Sequence, residues 1–144
     1  MYKIWITSHK LYRGGRRRLA HGIELIYQIV CSNSISGKAD IGFNTVFFHH
    51  GLGCVVHDDA VIGDNCKIFA NVTIGNKWSD GKNTSGPPKI GNNVVIGAGS
   101  VIIGDITIGD NCVIGANSVV LKDVPPDSVI AGAPAKIIKR INDR

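Results

Sequence analysis

Branched aliphatic side chains recur at six-residue intervals through most of this 144-residue chain, and that spacing admits few folds. One run holds Val56, Ile62, Ile68 and Ile74, and a second holds Ile90, Ile96, Ile102, Ile108, Ile114 and Val120. Ile35, Ile41 and Phe47 open the series. Four residues after the aliphatics lies a second register: Ala39, Thr45, Ala60, Cys66, Val72, Val94, Ser100, Cys112 and Ser118. All of these are small or modest in size, and Ile106 is the one larger member. Internal repetition of this kind is the mark of a solenoid.

Each unit reads as a short strand that turns one aliphatic inward, followed by a corner that redirects the chain by about 120°, so that three units close a triangular coil of roughly 18 residues. Small residues at the second inward position suit a crowded corner. Gly, Asn and Asp cluster where corners are expected, as in Gly63-Asp64-Asn65, Gly91-Asn92-Asn93 and Gly109-Asp110-Asn111. Such residues tolerate the positive φ that tight turns demand. Glycine at 18 of 144 residues fits a chain that turns this often. A single coil cannot bury its own apolar face, so the coils must stack into one continuous core. The predicted fold is an all-β solenoid, a parallel β-helix of four to five coils spanning residues 35–124.

The register breaks twice. The gap from Phe47 to Val56 is nine residues, which places three extra residues around His49, His50, Gly51, Leu52 and Gly53. The gap from Ile74 to Ile90 is sixteen, which predicts an extruded loop over residues 76–89 containing Trp78. Departures from a regular solenoid are where function tends to sit. Residues 1–34 read as a basic, amphipathic helical cap, with Leu19, Ile23, Ile26 and Val30 at helical spacing to cover one end. Residues 125–144 read as a tail over the other end, where Ile137, Ile138 and Ile141 predict a short helix from Pro134 to Asn142.

The formal charge is +5, and Lys10, Arg13, Arg16, Arg17 and Arg18 concentrate part of it in one run. A solvated helix face accounts for such a run, and contact with an anionic membrane surface or ligand is the alternative; no nucleic-acid-binding motif accompanies it. No apolar stretch approaches the ~20 residues of a membrane span. The stretch from Ile23 to Cys31 lacks the small-residue cleavage site of a secretory signal, so a cytoplasmic location is expected. The four cysteines, Cys31, Cys54, Cys66 and Cys112, have no Cys-x-x-Cys spacing, and Cys66 and Cys112 occupy inward positions as reduced core residues.

No phosphate-binding loop, dinucleotide fingerprint or G-x-S-x-G elbow is present. His21, His49, His50 and His57 have no helical spacing with a carboxylate partner, so no metal site is expected. The remaining candidates are the histidine pair at the first extrusion, the loop that follows, and the flank of the solenoid.

On those residues a family resemblance rests. The run FFHHGLGCVVHDDAVIGDNCKIFANVTIG resembles the active-site coil of serine acetyltransferases, within the hexapeptide-repeat acyltransferase superfamily. The run PPKIGNNVVIGAGSVIIGDITIGDNCVIGANSVVLKDVPPDSVIAGAPAKIIKR is similar to their cofactor-binding half. The resemblance covers about residues 35–140. It implies a left-handed coil, although the usual crossover preference favours the opposite hand. It also implies homotrimers with active sites between neighbouring solenoids, and direct transfer of an acetyl group from acetyl-CoA to a hydroxyl. A histidine acts there as general base, which suits its near-neutral pKa. Counting forward from Ile41-Gly42 selects His49, and counting back from Gly53 selects His50; both remain candidates, with His49 taken first. His57 reads as structural, and Asp58 or Asp59 as candidates to orient a base.

Gly97-Ala98 and Gly115-Ala116 lie 18 residues apart, one coil above the other, and offer a small-residue strip for the thin pantetheine arm. Pro134, Ala135 and Lys136 match the family's CoA-end segment, with Lys136, Lys139 or Arg140 available to phosphate. The chain departs from the family where a histidine of an H-P-K-I segment is replaced by Pro87, and in having only some 34 residues before the repeats. The acceptor is therefore expected to be L-serine or, as an alternative, a sugar hydroxyl on a polysaccharide precursor. Two other classes of reading are a non-catalytic scaffold and a hexapeptide protein with an inter-subunit metal.

Overall fold

In the computed structural model, residues 2–79, 82–83 and 86–141 are described, with the backbone alone for 2–6, 79, 82 and 83. The chain winds into a triangular prism with three parallel faces. Ser34–Ile35, Val55–Val56, Thr73–Gly75, Val101–Ile103 and Val119–Val120 stack as a five-stranded first face. Asp40–Ile41, Val61–Ile62, Lys89–Ile90 and Thr107–Ile108 form the second, which Val124 extends by bridging to Ile108. Val46–Phe47, Lys67–Ile68, Val95–Ile96, Val113–Ile114 and Ser128–Ala131 form the third.

The register is in phase throughout. Ile35 lies opposite Val56, Val56 opposite Ile74, and Ile102 opposite both Ile74 and Val120. Every aliphatic of the six-residue series is buried, and so is every member of the second register, Ile106 included. Burying one such aliphatic contributes ~1.5–3 kcal/mol, so the core is a ladder of similar rungs rather than one dominant cluster. The coil also continues past residue 124: the strand Ser128–Ala131 adds a further rung, with Ile130 buried at 2% exposure.

The corners divide their work differently from the sequence expectation. Positive φ falls on asparagine, at Asn65 (57°), Asn93 (56°) and Asn111 (58°), whereas Gly63, Gly91 and Gly109 have ordinary backbone angles. Those glycines are needed for close approach, since a Cβ on Gly63 would stand 2.6 Å from the carbonyl oxygen of Gly91 one coil above. The asparagine side chains tie the levels together: Asn93 Nδ2 donates to Asn111 Oδ1 (3.2 Å), and Asn111 Nδ2 donates to Asp127 Oδ1 (3.0 Å). Local polar side chains thereby satisfy corners that no ladder reaches.

The N-terminal cap is a pair of helices, α1 (Tyr2–Arg13) and α2 (Arg17–Cys31). They meet the first coil through polar groups. Glu24 accepts hydrogen bonds from the Gly37 amide (2.6 Å) and the Ser8 hydroxyl (2.7 Å), and His9 Nδ1 lies 2.9 Å from the Gly37 carbonyl oxygen. Ala20 is the buried residue of α2. The expected apolar lid is oriented otherwise: Leu19, Ile26 and Val30 are 57%, 66% and 75% exposed, because α2 sits on its Ala20–Glu24 side.

The C-terminal tail is a strand, not the expected helix. Lys136–Arg140 pairs antiparallel with Ser128–Ala131, where β-branched residues favour extended backbone and the last coil offers an unpaired edge. The part of the tail from Asn142 onward lies outside the described residues. In the loop over 76–89, Trp78–Ser79 pairs antiparallel with Lys82–Asn83 as a small hairpin, while Asp80, Gly81, Thr84 and Ser85 lie outside the described residues.

Replacing Ile102, fully buried at 0% exposure, with Ala is expected to destabilise the chain by about 2–5 kcal/mol in denaturant unfolding. The same change at Val46, which is 41% exposed on an outer face, is expected to cost far less.

Candidate active site

The extra residues after Phe47 are accommodated at the corner that joins the third face to the first. Phe48–Gly51 make a short 3₁₀ turn in which His49 (φ 52°) and His50 (φ 59°) are both left-handed. Gly51 (67°) and Gly53 (66°) share that sign. A non-glycine residue held there costs ~1–3 kcal/mol and persists only where its surroundings fix it. Here the Leu52 amide donates to the His49 carbonyl (3.1 Å), and the buried Asn33 donates its Nδ2 to the His50 carbonyl (3.0 Å). From below, the Gly53 amide donates to Ser32 (2.8 Å); from above, the Asn71 amide donates to Leu52 (2.8 Å). Phe48 stacks on Phe69 with ring centroids 4.7 Å apart, which buttresses the turn. Both histidine side chains are exposed.

The corner carrying these histidines is also the corner carrying the small-residue strip. Above Leu52 comes Asn71; the Gly99 amide then donates to Ala70 (3.0 Å), and the Asn117 amide donates to Ala98 (2.8 Å). Leu52, at the end of the histidine turn, Ala70, Ala98 and Ala116 therefore rise in one column, at about 5 Å per level. Ala98 and Ala116 are exposed along it. Gly97 and Gly115 have a packing role as well, since a Cβ on Gly97 would stand 2.5 Å from the Ala116 amide nitrogen. At the top of the column the Gly132 amide donates to Ser118 Oγ (3.3 Å), and the Ala135 amide donates to the Val119 carbonyl (2.8 Å). Pro134, Ala135 and Lys136 thus lie across the upper end of the first face, lining a cavity of about 370 Å³ with Leu121, Lys122 and Asp123. Arg140 is turned away to donate to the Pro126 carbonyl (2.9 Å), while Lys136 is exposed.

The other histidine candidate is engaged. His57 Nδ1 accepts the Asp59 amide hydrogen (3.1 Å), and its Nε2 lies 2.7 Å from the side-chain amide of Asn76. With Nδ1 accepting, the ring proton belongs on Nε2, and it fits the Asn76 carbonyl oxygen, which is otherwise buried without a partner. Asp58 pairs with Lys38 at 2.7 Å, which holds its carboxyl below the usual range. Neither residue lines the space beside His49 and His50. Among the described residues, no three His, Cys, Asp or Glu side chains lie close enough together to hold a metal ion, and no helix is long and apolar enough to cross a membrane.

Beside the histidine turn, a groove of about 710 Å³ runs against α2. Ile23, Ile26 and Val30 line it together with Tyr27 and Leu52. Sequence reasoning saw three of these residues as a lid over the coil end; their periodicity showed a helix face, but not what that face meets. Asn33 and the Phe48–Phe69 stack gave no sequence signal, because their roles depend on contacts between coils.

Comparisons with known proteins bear on the fold and the family. The model for the bacterial transferase hexapeptide (six repeats) matches residues 87–122, and that for the hexapeptide repeat of succinyl-transferase matches residues 51–76. Hexapeptide repeats are thus matched on both sides of the 76–89 loop, and the coil is the left-handed parallel β-helix. Proteins similar to this chain include serine acetyltransferases. It is 39% identical over 139 residues to serine acetyltransferase 2 of Arabidopsis thaliana, covering 96% of this chain and 42% of that protein. It is 38% identical over 143 residues to the serine acetyltransferase of Staphylococcus epidermidis, covering 97% and 65%. Among solved structures, serine acetyltransferase from Brucella abortus in complex with coenzyme A superposes with a TM-score of 0.88 at 34% identity, covering 96% of this chain and 54% of that one. The chain thus spans between about two fifths and two thirds of the length of these relatives.

Burial pushes the thiols of Cys54, Cys66 and Cys112 above their ordinary value of 9.0. In the native protein a thiol reagent is expected to modify Cys31 alone, with the other three reacting only on unfolding. Because the folded values lie above the unfolded one, this contribution to stability is complete below about pH 9 and is lost as pH rises further, so the unfolding midpoint is expected to fall on the alkaline side. At the turn, a Cβ on Gly53 would collide with the Asn71 side chain, so Gly53→Ala is expected to lower stability by roughly 1–3 kcal/mol, with partial recovery in Gly53→Ala/Asn71→Gly.

Proposed function

We propose that this chain is an acetyl-CoA-dependent O-acetyltransferase of the serine acetyltransferase kind, acting as a homotrimer on a small hydroxyl-bearing acceptor. The observation that carries the reading is the shared column: the strained His49-His50 turn stands at the foot of an exposed strip through Ala98 and Ala116. The pantetheine arm of acetyl-CoA lies along Gly97-Ala98 and Gly115-Ala116, where absent or minimal side chains admit a thin chain. Its far end rests at Pro134, Ala135 and Lys136, with the Lys136 ammonium available to phosphate.

His49 or His50 takes the proton of the acceptor hydroxyl as its oxygen attacks the thioester carbonyl. The new ester bond forms, the carbon–sulfur bond breaks, and the proton passes to the departing CoA thiolate. No covalent enzyme intermediate is needed, and much of the rate comes from holding both substrates against one corner. The acceptor is L-serine, as the relatives' names suggest, or a sugar hydroxyl, in line with Pro87.

A general base contributes ~10²–10⁴-fold to the rate. His49→Ala and His50→Ala, singly and together, are expected to separate the base from its neighbour: one single variant and the double variant lose that factor in CoA release, with unchanged unfolding midpoints. Full activity in the double variant would refute the mechanism. Light scattering is expected to give three times the 15.4 kDa chain mass.

A further inference from the structure

The groove beside the histidine turn has walls of one chemical character. Ile23, Ile26 and Val30 of α2 face Leu52 of the turn, and His49 and His50 open into the same space. None of the side chains lining it is a carboxylate, an ammonium or a guanidinium. At about 710 Å³ the space is also within the range of sites that enclose drug-sized ligands. An α-amino acid carries both an ammonium and a carboxylate, and moving either against aliphatic walls without a partner is costly. Ile26 and Val30 stand 66% and 75% exposed, so apolar surface is presented to solvent right beside the candidate base. The ring of Tyr27 also lines the groove, while its hydroxyl is buried against the Cys31 thiol, a weak partner.

We infer that the acceptor is an uncharged, hydroxyl-bearing amphiphile, a sugar or polyol on an apolar carrier, whose carrier lies along Ile23, Ile26, Val30 and Leu52. The inference rests on the acetyl-transfer reading above and specifies its substrate. The polar end lies at the histidine turn, and one of its hydroxyls reaches His49 or His50. That hydroxyl forms the new ester to the acetyl carbonyl; the thioester bond breaks, and the hydroxyl proton leaves through the histidine to the CoA thiolate. Two features select this occupant: the groove is continuous with the histidines, and its walls carry no charge.

The test measures CoA release by the full chain with acetyl-CoA and four acceptors: octyl β-D-glucoside below its micellar concentration, methyl β-D-glucoside, glucose and L-serine. Each methylene buried is worth about fourfold in an equilibrium constant, so partial seating of the octyl chain predicts a kcat/KM at least about tenfold above that for the methyl glycoside. Ile26→Asp is expected to erase that increment through KM while leaving CoA binding by calorimetry unchanged, and Ile26→Leu to restore it; Ile26 is exposed, so its replacement leaves the fold intact. Equal kcat/KM for the two glycosides, or a preference for L-serine, would overturn the inference and leave the acetyl-transfer reading standing. Dissociation of a trimer by Ile26→Asp with no change in acceptor preference would also overturn it, by putting a second copy in the groove. Absence of CoA binding and of CoA release with every acceptor would remove both readings together.

Discussion

The structure depends on the in-register stacking of one coil on the next. Strand amides find their carbonyls one level away, as when the Lys67 amide donates to Val94 and the Val95 amide donates to Cys112. Stacking in this way forces each inward side chain to lie over its equivalent, so Ile68, Ile96 and Ile114 form a vertical file. A residue one place out of phase would put a polar group inside and an aliphatic outside. The same constraint keeps glycine at Gly63 and Gly97, where the neighbouring level passes too close for a Cβ.

A stack so regular can carry a site only where the regularity is interrupted, or where its surface is unusually bare. Both occur at the corner between the third face and the first. The extra residues after Phe47 are absorbed by a run of left-handed backbone, which lifts two histidines out of the corner while Asn33, Ser32 and Asn71 hold the peptide groups around them. Higher in the same column, Ala98 and Ala116 leave the surface bare. The two features lie on one edge, with the level of Ala70 between them. An elongated substrate lying on that edge would reach the histidines without any movement of the scaffold.

The ends are closed by unlike means. At the first coil, Glu24 supplies a carboxylate to an amide that has no level beneath it, and so α2 docks on a polar contact and leaves its aliphatic face outward. At the last coil, Lys136–Arg140 reverses direction and occupies the edge of the third face. The antiparallel turn ends the winding, because a strand running backward cannot lead the chain into another corner.

The inward positions of the coil, the two breaks in its register, the burial of Cys66 and Cys112 and the family were all determined by the sequence alone. A six-residue repeat encodes contacts between each residue and its equivalent one coil away, and these can be read by counting. The C-terminal strand, the outward face of α2 and the role of Asn33 were decided by the tertiary structure. Each depends on which surface a segment meets across the chain: an open sheet edge for Ile137 and Ile138, a bare amide at Gly37 for Glu24, a peptide carbonyl at His50 for Asn33. Periodicity specifies which side of a segment is apolar. Only the folded coil specifies whether that side is covered by the chain or left open beside His49 and His50, since the answer depends on where a polar contact anchors the helix.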